Sequence, residues 1–453
     1  MILYQHPEDK KVPTKQKTRL LPTGLLPPSG PCDCPSGSFV LKDHIPKDQY
    51  EELVQRRAKE LQQFKIRTTS VLSRMLFASP NSPLQYPIQG LQVPPLTSTL
   101  IPGLALQAEE RSSYKVSLKV AKGVLTTEIA NGVEVHGHGE TGLIMESSNL
   151  ETLNYLLAKV SYTSTIYHIH TGDLASFQFE NNEAVFPITI KQPLLPVLYD
   201  MGTNVSSHVT IITKTFLRYT KLKVLLSSIR SFYSNIEVII ADDSFEPEHI
   251  TGERIKQYIM PPGTGWFAGR NLAVSQVTTK YFLWVDDDFV FTEKTKIEKL
   301  VEVMEEFPEL DVLGGTVQGN QFYFSLIYEE GEEMDGGCLY RKSQGKFHSL
   351  PGYPKCFLAS GVVNFFLART EAVQRVGFDP KLQRVAHSEF FMDGLGSLMV
   401  ATCDHVSIGH QPKKVDNADD ARYARFRNPP RNEQEFKLQL HFFKNHLKCV
   451  KYG

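Results

Sequence analysis

Long apolar runs are missing from this chain. No stretch of its 453 residues approaches the ~18 apolar residues of a membrane span. The best N-terminal candidate, RLLPTGLLPP, is short and is broken by Pro22, Gly24, Pro27 and Pro28, so it lacks a signal-peptide core and predicts a soluble chain without a transmembrane segment. Charge of one sign is missing too. With 49 Lys and Arg against 50 Asp and Glu the net charge is −1, which gives no general reason to expect nucleic acid or an anionic membrane as a partner. Cysteine is sparse. Six are too few for a disulfide scaffold, and Cys32 and Cys34 form a C-x-C without the C-x-x-C spacing of a zinc knuckle. The usual phosphate signatures are absent as well. GTGWFAG, residues 263–269, is followed by no G-K-[ST] and does not come after the first strand, which argues against an ATPase and against a dehydrogenase.

What is present fits a globular protein of two or three domains, 41% hydrophobic and 22% charged. Residues 1–105 are Pro-rich, with one helical pattern at Lys47–Phe64, and read as an arm wrapped on other parts of the chain. Residues 106–197 carry period-two segments such as YKVSLKV, ASFQFE and AVFPITIK, with one helix at Leu150–Ala158. They predict a small β-sandwich. Its histidines form two H-x-H pairs, His136 with His138 and His168 with His170, which without a carboxylate pattern read as solvated strand residues. The sequon Asn204-Val205-Ser206 falls in the connection that follows. Residues 198–453 alternate strand and helix. HVTIITKTF, IEVIIADDS, YIMPPGTG and YFLWVDDD are the strands, with helices after the first, after the glycine-rich turn (from about Ala268) and after Thr292, the expected cap. That order predicts a mostly parallel sheet.

Two of those strands end in acids. ADDS carries Asp242 and Asp243, and KYFLWVDDDFVF carries Asp286, Asp287 and Asp288 between apolar flanks. Unpaired charge near a core is costly, so three consecutive carboxylates there point to a bound cation. Ligands of open α/β sheets bind at the carboxyl ends of strands. Acids there, with a glycine-rich turn between them, would suit a nucleotide diphosphate and the Mg²⁺ or Mn²⁺ bridging it. Glu389 and Asp393 in HSEFFMDG are four apart, hence on one face of a short helix, where one could act as a base and the other orient a substrate.

GTGWFAGRNLAVSQVTTKYFLWVDDDFVF, GVVNFFLART and RVAHSEFFMDGLG together resemble the β1,4-N-acetylgalactosaminyltransferases that make gangliosides and the Sd(a) determinant, with VAHSEFF and IGHQ closer to the Sd(a) type. The resemblance covers the whole α/β part and, more loosely, the β-rich segment and the C-x-C arm. It implies an inverting enzyme with a glycosyltransferase A-like (Rossmann-like) catalytic domain, UDP-GalNAc as donor and Mn²⁺ as cofactor. The acceptor it implies is a sialylated galactose on glycoprotein or glycolipid. Asp286 and Asp288 match the ends of the family's D-x-D, with Asp287 between them, and Asp243 matches the acid facing uridine. Thr213 and Lys214 would flank the uracil. Gly265, Arg270 and Asn271 would lie beside the diphosphate, although Arg270 could instead be a structural partner of the acids. Glu389 is favoured over Asp393 as the base, and His410 would complete the metal ligands. The resemblance also implies the Golgi lumen, though the membrane anchor usual in the family is not seen in this sequence.

Two rivals remain at this point. A non-catalytic glycan- or partner-binding relative would not require the acids to be intact, and a nucleotidyltransferase would not explain HSEFFMDG. The cysteines are either buried free thiols or bridges. If bridges, Cys356 with Cys403 leaves Cys338 and Cys449 for Cys32 and Cys34, within one chain or across a disulfide-linked homodimer.

Overall fold

The computed structural model describes residues 32–453 apart from 69–70, 74–75, 79, 168–170, 201, 384–385, 413–422 and 424–430. The first 31 residues of the expected arm, His168 and His170 therefore lie outside the described residues. The chain forms two compact units. One is Glu51–Leu198; the other joins the N-terminal residues through Tyr50 with Tyr199–Gly453. Among the described residues no helix is long and apolar enough to cross a membrane.

The first unit carries helices at Tyr50–Thr68 and Leu150–Leu157, and its sheets are antiparallel except for one parallel edge strand. Its six-stranded sheet runs, in spatial order, Leu91–Val93, Asn182–Ile190, Thr171–Phe179, Tyr114–Lys119, Gly142–Ser147 and Val133–His136. The alternation in these segments is the cause: Tyr114, Val116 and Leu118 point inward while Lys115 and Lys119 face water. Phe177 and Phe186 from this sheet share one core with Leu125 and Tyr162 of a separate three-stranded sheet. Short strands at Leu84–Gln85, Leu91–Val93, Thr99–Leu100 and Ala105–Leu106 pair into this unit, inside the span that reads as an arm. His136 and His138 are exposed.

In the second unit we number β1 (Val209–Thr215), α1 (Tyr219–Phe232), β2 (Glu237–Asp242), β3 (Ile255–Ile259), α2 (Trp266–Ser275), β4 (Tyr281–Trp284), β5 (Phe289–Val290) and α3 (Ile297–Glu306). There follow β6 (Val312–Val317), β7 (Tyr323–Glu329), β8 (Gly337–Ser343), β9 (Tyr353–Ala359), β10 (Phe366–Arg369), α4 (Thr370–Val376), α5 (His387–Asp393), β11 (Val400–His410), α6 (Arg431–Lys444) and β12 (Leu447–Tyr452). The large sheet has the order β3-β2-β1-β4-β10-β6-β11-β9. Its first four strands are parallel, β10 runs against both neighbours, and β11 is again parallel to β6. This is an α/β, Rossmann-like sheet. Strands β1 and β4 are buried on both faces, as their continuous apolar sequences require. Chain order turns around at β1, which lies between β2 and β4, so the crevice at their carboxyl ends is a topological switch point.

Thr292 does not cap α3. The helix begins four residues later, after Lys296, because Thr292 and Thr295 close a tight turn first, with Thr295 N–H donating 2.9 Å to the Thr292 carbonyl. A second sheet carries Phe39–Val40 antiparallel to β12, and β12 parallel to β8. Disulfides Cys32–Cys338 and Cys34–Cys449 fasten the C-x-C segment to this sheet, and Cys356–Cys403 joins β9 to β11. All six cysteines pair within the chain, which leaves none for a bond to a second copy.

Candidate active site

The three consecutive acids after β4 point in three directions. Asp287 is fully buried and accepts from the Thr215 hydroxyl at 2.9 Å and from the guanidinium of Arg218. Asp288, 15% exposed, takes the other arm of Arg218 at 2.8 Å and stands 3.5 Å from His410 Nε2. Asp286, 18% exposed, accepts from Trp284 Nε1 at 3.1 Å and Asn364 Nδ2 at 3.2 Å, with Arg270 at 4.0 Å. Burial raises the Asp286 carboxyl to about 6, against the pull of Arg270.

Arg218 is a residue of this crevice that sequence reasoning missed. Leu217 before it takes a left-handed φ of 59°, which turns the chain out of β1, and its N–H donates 2.9 Å to the Ser244 hydroxyl. Arg218 then sits at the N-terminal end of α1, whose first turn holds no acid. A cation there opposes the helix dipole, and that mismatch was the readable signal that it serves something else. Burial would lower its pKa, but Asp287 and Asp288 outweigh that and raise it. Its guanidinium also stacks 4.4 Å from the Tyr423 ring.

The ends of β1 and β2 complete the crevice. Asp243 is buried between Lys214 Nζ at 2.5 Å and the Gly265 N–H at 2.8 Å. The buried Thr213 hydroxyl has no hydrogen-bond partner among the described residues. Gly265 adopts φ 101°, and a Cβ there would come within 3.0 Å of Gln383 Cα, so only glycine allows the turn its close approach. Gly269 one turn on lets α2 lie against Lys214, whose Cγ would be 2.5 Å from an added Cβ.

Arg270 is buried, 4.2 Å from the Trp284 ring, and donates 2.7 Å to Asn364 Oδ1. Asn364 thus joins Arg270 to Asp286. Burial lowers the Arg270 pKa to about 10. The structure does not bring Asn271 into this cluster. A further ~100° around the helix turns it outward, where it is exposed and accepts from the Phe378 N–H at 3.3 Å.

Glu389 and Asp393 share a face of α5, as their spacing predicts, and that face meets α6. Glu389, 2% exposed, pairs with Lys437 at 2.6 Å and stands 3.4 Å from His441 Nε2, while its buried Oε2 has no hydrogen-bond partner among the described residues. Burial pushes its carboxyl up, but His441 and Lys437 together hold it below the usual range. Asp393, 16% exposed, pairs with Lys444 at 2.8 Å. His387, at the start of α5, donates at 2.5 Å to the Val362 carbonyl, and burial and the neighbouring Arg270 take it down to about 4, so it is neutral.

Buried acids at a switch point, with a glycine turn between two of the strands, form the ligand-binding crevice of an α/β sheet. The model of Glycosyl transferase family 2 matches residues 210–365, from β1 through Asn364, and so places this crevice in a glycosyltransferase of A-type fold. Mouse β-1,4 N-acetylgalactosaminyltransferase 2 is 48% identical over 93% of this chain and 84% of its own length. Human β-1,4 N-acetylgalactosaminyltransferase 1 is 47% identical over 87% and 78%. The chain belongs to the β-1,4-N-acetylgalactosaminyltransferase family. Identities this close do not separate the two types. Among solved structures, residues 1–349 of Staphylococcus aureus TarS match 53% of this chain and 71% of theirs, at 14% identity and a TM-score of 0.33, which adds nothing to the assignment.

Proposed function

We propose that the chain transfers N-acetylgalactosamine from UDP-GalNAc, with inversion, in β1,4 linkage to a sialylated galactose of glycoprotein or glycolipid glycans, and that it works in the Golgi lumen. The observation that carries this reading is the convergence of Asp243, Asp286, Asp288 and His410 at the switch point of a family member's sheet. Three intrachain disulfides agree with an oxidising compartment.

The residues fit a divalent cation. His410 Nδ1 is held 2.6 Å from the Gln411 carbonyl, so its Nε2 lone pair faces Asp288. Asp286 is a mostly buried carboxylate whose nearest cation, Arg270, stands at 4.0 Å. Asp286, Asp288 and His410 would hold the ion, and this oxygen-rich donor set suits Mn²⁺. When bound, the ion would offset the charge of the donor diphosphate. Asp243, Thr213 and Lys214 would take the uridine, and the open backbone at Gly265 would admit the diphosphate. Arg270, through Asn364, holds Asp286 in position; Asp287 anchors Arg218 beneath the pair.

Glu389 is assigned as the general base, supported by its Oε2, which has no hydrogen-bond partner among the described residues, and by His441 and Lys437, which hold its carboxyl below the usual range. It takes the proton of the acceptor hydroxyl as that oxygen bonds to the anomeric carbon and the bond from this carbon to UDP breaks. Asp393 is the second reading, favoured by its greater exposure. Incubating the chain with UDP-GalNAc, Mn²⁺ and 3′-sialyllactose tests the whole assignment. A β-linked GalNAc on galactose is expected; an α-linked product, or no transfer, contradicts it.

A further inference from the structure

Beside Asn364 lies a cavity of about 410 Å³ that none of the roles above uses. Its wall is built from amides and aromatics, among them Asn320, Gln344, Phe322 and Tyr323, with His387 at the end nearest α5. Amides beside ring faces suit a sugar, whose hydroxyls need directional partners and whose C–H faces need flat apolar ones. Asn364 lines this cavity and also bonds Asp286 and Arg270, so the cavity adjoins the acidic crevice directly.

Among the residues lining the cavity one is charged. Arg341, on β8, lays its guanidinium 4.6 Å from the Phe324 ring of β7. Among the described residues the other buried or half-buried arginines of this unit are all engaged: Arg218 on two carboxylates, Arg230 on the Ile236 carbonyl at 2.9 Å, Arg270 on Asn364, Arg369 on the Leu310 carbonyl at 2.8 Å. Arg341 makes no ion pair or side-chain hydrogen bond with any described residue, and its buried Nε is unpartnered. His387 is neutral and supplies no competing charge. A half-buried cation stacked on a ring and left without an anion is costly unless a ligand completes it.

We infer that this cavity is the acceptor subsite and that Arg341 reads the carboxylate of an acidic sugar in the acceptor. The planar fork of the guanidinium matches a carboxylate with two parallel hydrogen bonds. The inference rests on the transfer reading above and deepens it, by naming the residue that selects acidic acceptors over neutral ones.

Calorimetry with 3′-sialyllactose and its methyl ester, titrated into wild type, Arg341→Gln and Arg341→Lys in the presence of UDP and Mn²⁺, tests it. The ester keeps the skeleton and removes only the charge. Wild type should bind the acid about 10- to 100-fold more tightly than the ester, the range of a charge-assisted hydrogen bond. Arg341→Gln should bind both alike, and Arg341→Lys, with charge but no fork, should fall between. UDP affinity should be the same in all three proteins, which also shows that they are folded. Equal binding of acid and ester by wild type, no binding of the acid, or an equal loss of both ligands in Arg341→Gln overturns the inference. A loss of UDP affinity in Arg341→Gln overturns it too, since Arg341 would then serve the donor diphosphate. If wild type instead shows the acid preference but transfers nothing from UDP-GalNAc, the transfer reading fails and the subsite stands.

Discussion

The acids after β4 and the acids of α5 look alike in sequence and are held in opposite ways. At Asp286–Asp288 one carboxylate is spent on anchoring: Asp287 is sealed against Arg218 and Thr215, and its neighbours stay partly open, aimed apart, with His410 alongside. At α5 both carboxylates meet basic side chains of one helix, Glu389 on Lys437 and His441, Asp393 on Lys444. The first arrangement leaves negative charge to attract something. The second nearly closes on itself and ties α6 to the body of the unit, with the Glu389 Oε2 atom left over. Acid clustering alone therefore says little. The position of the counter-charges decides whether a cluster is a site or a strut.

Changing Arg218 to Met should have the largest effect. It strands Asp287 in the core, and removing one partner of a buried pair costs about 3–5 kcal/mol. Chemical denaturation should show that loss, and a change under about 1 kcal/mol would mean that Asp287 is neutral and needs no anchor. Glu389→Gln comes next. Turnover should fall by about 10²-fold or more with UDP-GalNAc affinity unchanged, the scale of a lost general base. If turnover falls only in step with the folded fraction, Glu389 is a strut alone; if Asp393→Asn gives the kinetic loss instead, the roles exchange. In thermal melts Asp393→Asn itself should lower stability by less than about 1 kcal/mol, because its pair with Lys444 is partly open to solvent. Asn271→Ala should be the smallest, leaving kcat/KM within about twofold, since the side chain points away from the crevice and surface changes rarely exceed ~0.5 kcal/mol. A larger loss would return Asn271 to the diphosphate.

Much of the catalytic unit was legible because strands buried on both faces read as unbroken apolar runs, and acids at their ends are conspicuous. The C-x-C segment was legible too: Cys32 and Cys34 cannot conveniently bond each other, and both found the distant partners left after Cys356–Cys403. What could not be read depended on contacts between segments far apart in sequence. Strands of two or three residues between Leu84 and Leu106 carry too few positions to show a period. The Glu389–Lys437 pair spans 48 residues, so the four-residue spacing of Glu389 and Asp393 revealed their common face but not its cover. Arg341 is silent in sequence for the same reason: only the pairing of β7 with β8 brings it over Phe324.

The central claim is that Asp286 and Asp288 act through a divalent cation shared with the donor. Titrating UDP calorimetrically into wild type and Asp288→Asn, once with Mn²⁺ and once with EDTA, tests it most directly. A carboxylate that bridges to the ligand through an ion matters only when the ion is there. Asp288→Asn should therefore lose about tenfold or more in UDP affinity with Mn²⁺, the scale of one lost charge-assisted contact, and bind like wild type in EDTA. An equal loss in both conditions would show that Asp288 serves the fold through Arg218 and holds no metal.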